Sequence, residues 1–156
     1  MMLTSSGILL YRRVAGSVEV LLLHHGGPFW ARKDEGAWTI PKGLQEPGEE
    51  PLAAARREFE EETGHAVEGP FMELGTFRQN SSKTVAVWAA EGAFDVADLK
   101  SNMFELEWPP RSGRRQQFPE ADRAGWFSPE AAIPKLAKGQ APIIGALLER
   151  LGEEPI

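Results

Sequence analysis

Hydrophobic and polar positions divide the chain into short apolar runs and amphipathic stretches. The runs Gly7–Arg12 and Val18–Leu23 are aliphatic, and Ala15-Gly16-Ser17 between them has turn composition, which predicts a hairpin. His24 to Gly36 carries Gly26, Gly27, Pro28, Phe29, Trp30, Arg32 and Lys33 without a period and reads as a loop. Trp38-Thr39-Ile40-Pro41 is a short strand stopped by its proline, which cannot donate to a sheet ladder. Pro51 suits a first helical position, Leu52–Thr63 contains neither Gly nor Pro, and Gly64 ends the helix. Beyond it Phe71–Phe77 and Thr84–Ala90 have strand composition, Met103–Trp108 alternates with period two, and Ala124–Phe127 predicts a last short strand. Ser128-Pro129-Glu130 opens a helix as N-cap and N1 proline, and apolar positions 143, 144, 147, 148 and 151 recur at helical spacing. Strands interleaved with three helices predict an α/β fold with a mixed β-sheet flanked by helices. No repeat or low-complexity stretch interrupts residues 1–156, a length that suits one domain.

Composition narrows the function. Seventeen Lys and Arg against 23 Asp and Glu give a net charge of −6, the wrong sign for a protein that coats nucleic acid, so no extended nucleic-acid surface is expected. The absence of cysteine excludes disulfides, thiol nucleophiles, iron–sulfur clusters and cysteine-ligated zinc. The longest apolar runs, Gly7–Leu10 and Val20–Leu23, fall far short of the ~20 residues of a membrane span. Met1 to Ser6 has no basic leader segment. A soluble cytoplasmic protein is expected.

The chemically informative stretch is the helix after Pro51. At about 100° per residue, Leu52, Ala55 and Phe59 share one face that can pack on a sheet, while Glu58, Glu61 and Glu62 crowd the adjoining arc. Like charges at these spacings oppose helix formation by roughly 0.2–0.5 kcal/mol per pair, so something positive should compensate. Arg57 can reach Glu61 and Arg56 can reach Glu60, whereas the Glu58–Glu62 edge has no basic partner on the helix. A hard divalent cation answers this chemically, because oxygen-only ligands suit Mg²⁺ or Mn²⁺. A solvated acidic helix face is the plain alternative.

The order of residues resembles a specific family. Gly43, Glu49, Arg57-Glu58, Glu61-Glu62 and Gly64 stand at the spacing of the Nudix hydrolase signature box, all seven fixed residues being present, with the bulky Phe59 after Glu58. A chance match in a chain of this length is on the order of one in a million. One position departs: a bulky apolar residue is expected after the last glycine, and His65 stands there, followed by Ala66 and Val67. The resemblance implies the Nudix α/β/α sandwich and metal-dependent hydrolysis of a phosphoanhydride bond in a nucleoside diphosphate linked to another group, with nucleoside triphosphates and dinucleoside polyphosphates first among the substrates. It implies Glu58, Glu61 and Glu62 as Mg²⁺ or Mn²⁺ ligands with the Gly43 carbonyl, and Glu49, Arg57 and Gly64 as structural members of the box. Glu61 is the expected general base, with Glu120 as competitor, because Phe118–Phe127 lies where some relatives place an extra metal ligand. Glu120 reads equally as a loop carboxylate paired with Arg123.

Outside the box, Trp38-Thr39-Ile40-Pro41-Lys42-Gly43 looks like the lead-in of diadenosine polyphosphate hydrolases and diphosphoinositol polyphosphate phosphohydrolases, so Lys42 is a candidate phosphate contact or a solubilising charge. Glu107 to Gln117 is the one clearly basic stretch and reads as a loop; Arg111, Arg114 and Arg115 there either clamp a polyphosphate or are plain surface residues. Together with Phe118–Arg123 it resembles a bacterial Nudix subgroup of predicted nucleoside triphosphate pyrophosphohydrolases. Phe29, Trp30, Trp38 and Trp108 are base-stacking or core residues. His24, His25 and His65 receive no chemistry. A nucleotide-sensing module without turnover and an RNA 5′-end pyrophosphohydrolase are the rival functions, and the oligomeric state is open.

Overall fold

The computed structural model describes residues 3–156; Met1 and Met2, at the head of the segment read for a leader, lie outside the described residues. β1 (Leu3–Val14) and β2 (Ser17–His25) form the expected hairpin, turning at Ala15-Gly16 and paired from Tyr11–Val20 to Val14–Ser17. The remaining elements are β3 (Trp38–Thr39), β4 (Lys42–Leu44), α1 (Pro51–Thr63), β5 (Met72–Asn80), β6 (Lys83–Glu91), β7 (Met103–Glu107), β8 (Arg115–Pro119), β9 (Ala121–Phe127), α2 (Pro129–Lys135) and α3 (Ala141–Leu151), with one 3₁₀ turn at Val96–Asp98.

The main sheet runs β3-β2-β1-β6-β5, and β9 and β4 are added on β2 and β1. β1 is its spine. Along one edge it pairs parallel with β6 from Leu3–Lys83 to Tyr11–Glu91, and on the other its first half pairs antiparallel with β4 and its second half with β2. The sheet is therefore mixed, and it is covered on both faces, which is why its central strands read as unbroken apolar runs. Alternate residues sort the core. Leu9, Val20, Leu22, Val85 and Val87 face α2 and α3 through Ala132, Ile143, Ile144 and Leu147, whereas Ile8, Leu10 and Leu21 meet Ala55 and Phe59 of α1 on the opposite side. This is the α/β/α sandwich.

Two strands were not legible in the sequence. β4 follows Pro41 directly and pairs Lys42 with Gly7 and Gly43 with Ser6. β8 converts part of the basic stretch into the second strand of an arm, β7–β8, that shares no strand with the main sheet. Arg115 thus lies on a strand rather than in a loop, while Arg111 and Arg114 stay in the connection.

Candidate active site

α1 begins at Pro51 and closes at Gly64, whose φ of 82° is the left-handed conformation a helix C-cap requires and whose N–H donates to the Glu60 carbonyl. Ala54, Ala55, Phe59 and Thr63 are buried against the sheet, and Leu52, expected on that face, is only half-buried because it sits in the first turn. His65 cannot fill the apolar position expected after Gly64. Its ring instead lies edge-on to Phe94 at 5.1 Å, and Val67, two residues on, enters the core.

The arc left over carries Glu58, Glu61 and Glu62. Arg57 braces it: Nε and Nη2 donate to the Glu49 carboxylate at 2.8 and 2.9 Å, Nη2 reaches the Leu44 carbonyl at 3.2 Å, and Nη1 meets Glu58 at 2.9 Å and Glu61 at 3.2 Å. The fork geometry of guanidinium is what allows one side chain to hold loop and helix together. This pairing pulls the Glu49 carboxyl down to about 2 and raises the Arg57 guanidinium above its already high value. It also corrects the expectation that the Glu58–Glu62 edge lacks a basic partner on the helix, since Arg57 reaches Glu58. Arg56 does not turn to Glu60; its guanidinium carbon lies 5.2 Å from the Phe71 ring centre.

Gly43 on β4 explains why the box needs glycine there: a Cβ at this position would overlap the Glu58 carboxylate. On the neighbouring residue, the Lys42 backbone N–H donates to Glu62 Oε2 at 2.7 Å. Burial pushes the Glu62 carboxyl up to about 8, aided by the charges of Glu58 and Glu120 and opposed by the Lys42 N–H. Burial raises Glu58 too, outweighing its Arg57 partner, with Glu61 and Glu120 adding to the rise. The Lys42 ammonium is lowered, also by burial, against the pull of Glu62 and Glu58.

Glu120 belongs to this group although it lies far along the chain. The turn between β8 and β9 that carries it is tied to α1 by backbone: Asn102 N–H donates to the Glu61 carbonyl, Lys100 N–H to the Thr63 carbonyl, and Glu120 N–H to the Asn102 carbonyl, each at 2.9 Å. The strut at 100–102 was missed from sequence because its bonds are main-chain and leave no residue signature. Glu120 is not paired with Arg123, whose Nε lies 3.8 Å from Asp122 while its guanidinium carbon stands 5.5 Å from the Trp38 ring centre.

The other sequence candidates divide. Arg115 pairs with Glu105 within the arm, and Arg111 and Arg114 are exposed at its tip. Trp38 is a core residue, 5% exposed, and Trp30 packs against the same core and stacks on His25 at 4.8 Å. Phe29 is 56% exposed and lies edge-on to Trp108 at 5.2 Å. His24, given no chemistry, is fully buried: Nε2 donates to the Lys33 carbonyl at 2.6 Å and Nδ1 lies 2.8 Å from Asp122, so it anchors the loop after β2 to the start of β9.

The candidate oxygen donors gathered near the end of α1 are the carboxylates of Glu58, Glu61, Glu62 and Glu120. As the side chains stand, no three Asp, Glu or His among the described residues converge closely enough to hold an ion. Arg57 draws Glu58 and Glu61 to itself and Glu62 faces the Lys42 N–H. The donor chemistry nevertheless fits a hard divalent cation: the carboxylates are oxygen-only, crowded, and in Glu58 and Glu62 starved of solvation, a deficit that positive charge relieves.

Comparison with known proteins decides the family. The NUDIX domain profile matches residues 2–147. The chain belongs to the Nudix family. Among Nudix relatives, it is 30% identical to Nudix hydrolase 7 of Arabidopsis thaliana over 100 residues, 59% of this chain and 34% of that one. It is 35% identical to the asymmetrical bis(5'-nucleosyl)-tetraphosphatase of Mus musculus over 103 residues, 58% of this chain and 66% of the relative. The chain thus spans about one third and just under two thirds of these Nudix relatives. In structure it is similar to a C. elegans Ap4A hydrolase in a binary complex, with a TM-score of 0.70, 24% identity and 97% and 98% of the two chains covered. That likeness places the sandwich among Nudix folds. No helix among the described residues is long and apolar enough to cross a membrane.

Proposed function

We propose that this Nudix chain hydrolyses a phosphoanhydride bond of a nucleoside polyphosphate, a nucleoside triphosphate or dinucleoside polyphosphate, with Mg²⁺ or Mn²⁺. The observation that carries the reading is the main-chain tie of the Glu120 turn to the end of α1, which brings a carboxylate from far along the chain near Glu58 and Glu62. The names of the tetraphosphatase relatives point to the same substrate class.

Glu58, Glu61, Glu62 and the Gly43 carbonyl would hold the cation. When bound, it supplies positive charge where non-bridging phosphate oxygens gather and acidifies water. The protein's own groups do the rest. Arg57 fixes the helix against the loop so the carboxylates stay in place, and Lys42 offers a point charge to a phosphate. Water adds to phosphorus as the bridging P–O bond breaks; the bond pair leaves on the departing phosphate, and the water's proton goes to a carboxylate. Glu61, 42% exposed at its side chain and accessible to water, is the favoured base, with Glu120 as the second candidate.

The test is phosphate and pyrophosphate release over a panel of nucleoside triphosphates, dinucleoside polyphosphates, ADP-ribose, nucleotide sugars, inositol pyrophosphates and 5′-triphosphorylated RNA. Mg²⁺-dependent turnover of nucleoside polyphosphates supports the reading. Tight nucleotide binding with no turnover makes the chain a sensing module instead, and turnover confined to RNA makes it a 5′-end enzyme.

A further inference from the structure

The β7–β8 arm is a two-stranded sheet outside the main sheet, and such a pair has no core of its own. Alternation puts Phe104, Leu106 and Trp108 on one of its faces, and Phe118 stands opposite Phe104 on the partner strand. The loop after β2 runs along the arm from foot to tip. Gly26 N–H donates to the Glu120 carbonyl at 2.9 Å, a Cβ on Gly27 would come within 2.9 Å of the Phe104 ring, and Phe29 meets Trp108.

The foot of this assembly is therefore the Glu120 turn, tied to the carboxylate helix through Asn102, and its outer end is an aromatic pair. Five residues of strand at about 3.3 Å each set Trp108 roughly 17 Å from the Glu120 turn, a span comparable with an extended nucleoside triphosphate. Of the aromatic residues at first in question, Trp38 is sealed in the core and Trp30 is covered by His25 and by Lys33, whose Nζ lies 5.2 Å from its ring centre. Phe29 alone among them leaves most of its surface in water, and beside Trp108 it offers an apolar ring face that a planar ligand can reach.

The geometry points to Phe29 and Trp108 as the seat for the base of the nucleoside polyphosphate whose phosphates lie at the α1 carboxylates. This rests on the function proposed above and adds the recognition of the base, which the signature box does not supply. An aromatic face takes any planar base, so the seat selects nucleosides over bare polyphosphate rather than one base over another.

The experiment titrates wild type, Phe29→Ala, Trp108→Leu and Phe29→Tyr with α,β-methylene-ATP and, separately, with inorganic tripolyphosphate, both in Mg²⁺. Loss of base stacking should weaken the nucleotide analogue about 5- to 150-fold in Phe29→Ala and Trp108→Leu, leave tripolyphosphate within about two-fold, and be rescued by Phe29→Tyr. Unchanged analogue affinity overturns the proposal, as does an equal loss for both ligands, which means that the variants disturb the arm rather than a base. Wild type that binds tripolyphosphate but not the analogue overturns the seat alone. Wild type that binds neither removes the proposed function itself. Because Phe29 is exposed, its alanine variant keeps the test valid even if Trp108→Leu loosens the arm.

Discussion

Glu62 is a carboxylate held largely out of water. Burial pushes its carboxyl up to about 8 from an ordinary value of 4.5, so the metal-free folded state holds a proton that the unfolded chain releases. Below about 4.5 both states are protonated and Glu62 has no effect; from there to about 8 its contribution destabilises the fold progressively, and above 8 the loss is complete. Glu49 works in the opposite sense. Its carboxyl lies at about 2 beside Arg57, so the stability it contributes is present above 4.5 and disappears as pH falls toward 2. In EDTA, Glu62→Gln should therefore gain on wild type as pH rises from 5 to 8, reaching roughly 5 °C in Tm, and Mg²⁺ should erase the gain. Thermal melts that run parallel across that range contradict the assignment. Arg57→Lys keeps the charge and loses the fork, leaving Glu49 and the Leu44 carbonyl short of donors; chemical denaturation should show a loss of about 1–3 kcal/mol.

At the scale of elements, α1 and β4 work as one unit because Gly43 lets the strand touch the Glu58 carboxylate. Gly43→Ala should leave far-UV circular dichroism unchanged and cut turnover at least ten-fold, since Glu58 must move; wild-type turnover in that variant contradicts the contact. The lead-in to the box is held from the far end of the chain. Gln140, 1% exposed, accepts from Ile40 N–H at 3.1 Å and donates to Thr39 Oγ1 at 2.9 Å, so Gln140→Ala strands the buried Ile40 N–H, leaves the Thr39 hydroxyl only its bond to the Ile40 carbonyl, and should cost about 1–3 kcal/mol in urea unfolding. Such links mark what the sequence could and could not convey. The hairpin, α1, α2 and α3 were legible because Pro51, Gly64, Ser128 and the apolar periods act within a few residues. β4 was hidden by its length of three residues, β8 by the Arg and Gln that fill an exposed strand, and the 100–102 strut by being main-chain. The carboxylates of α1 were legible as a group from helical spacing, but their Arg57 partner at Glu58 depends on a side chain folding back on its own neighbour, which spacing does not convey.

Over the whole molecule, the sheet is clamped between α1 and the α2–α3 pair, and each face has its own cluster of buried residues. Phe59, 1% exposed, is the largest side chain fully buried, and it joins the carboxylate helix to Ile8, Leu10 and Leu21. Phe59→Ala should cost about 3–5 kcal/mol, a large share of the 5–15 kcal/mol typical of a folded domain, and should expose α1 to faster hydrogen exchange before the α2–α3 face. In the proposed reaction, carboxylates from α1 and from the distant Glu120 turn act together on a phosphoanhydride with a divalent cation. The decisive experiment compares the Mg²⁺-dependent hydrolysis rate of wild type with those of Glu61→Gln, Glu62→Gln and Glu120→Gln, each verified as folded. Turnover should be abolished by EDTA and fall by about 10²–10⁴ in at least one of the α1 variants. Turnover that persists in EDTA, or that all three variants retain, would contradict that reaction.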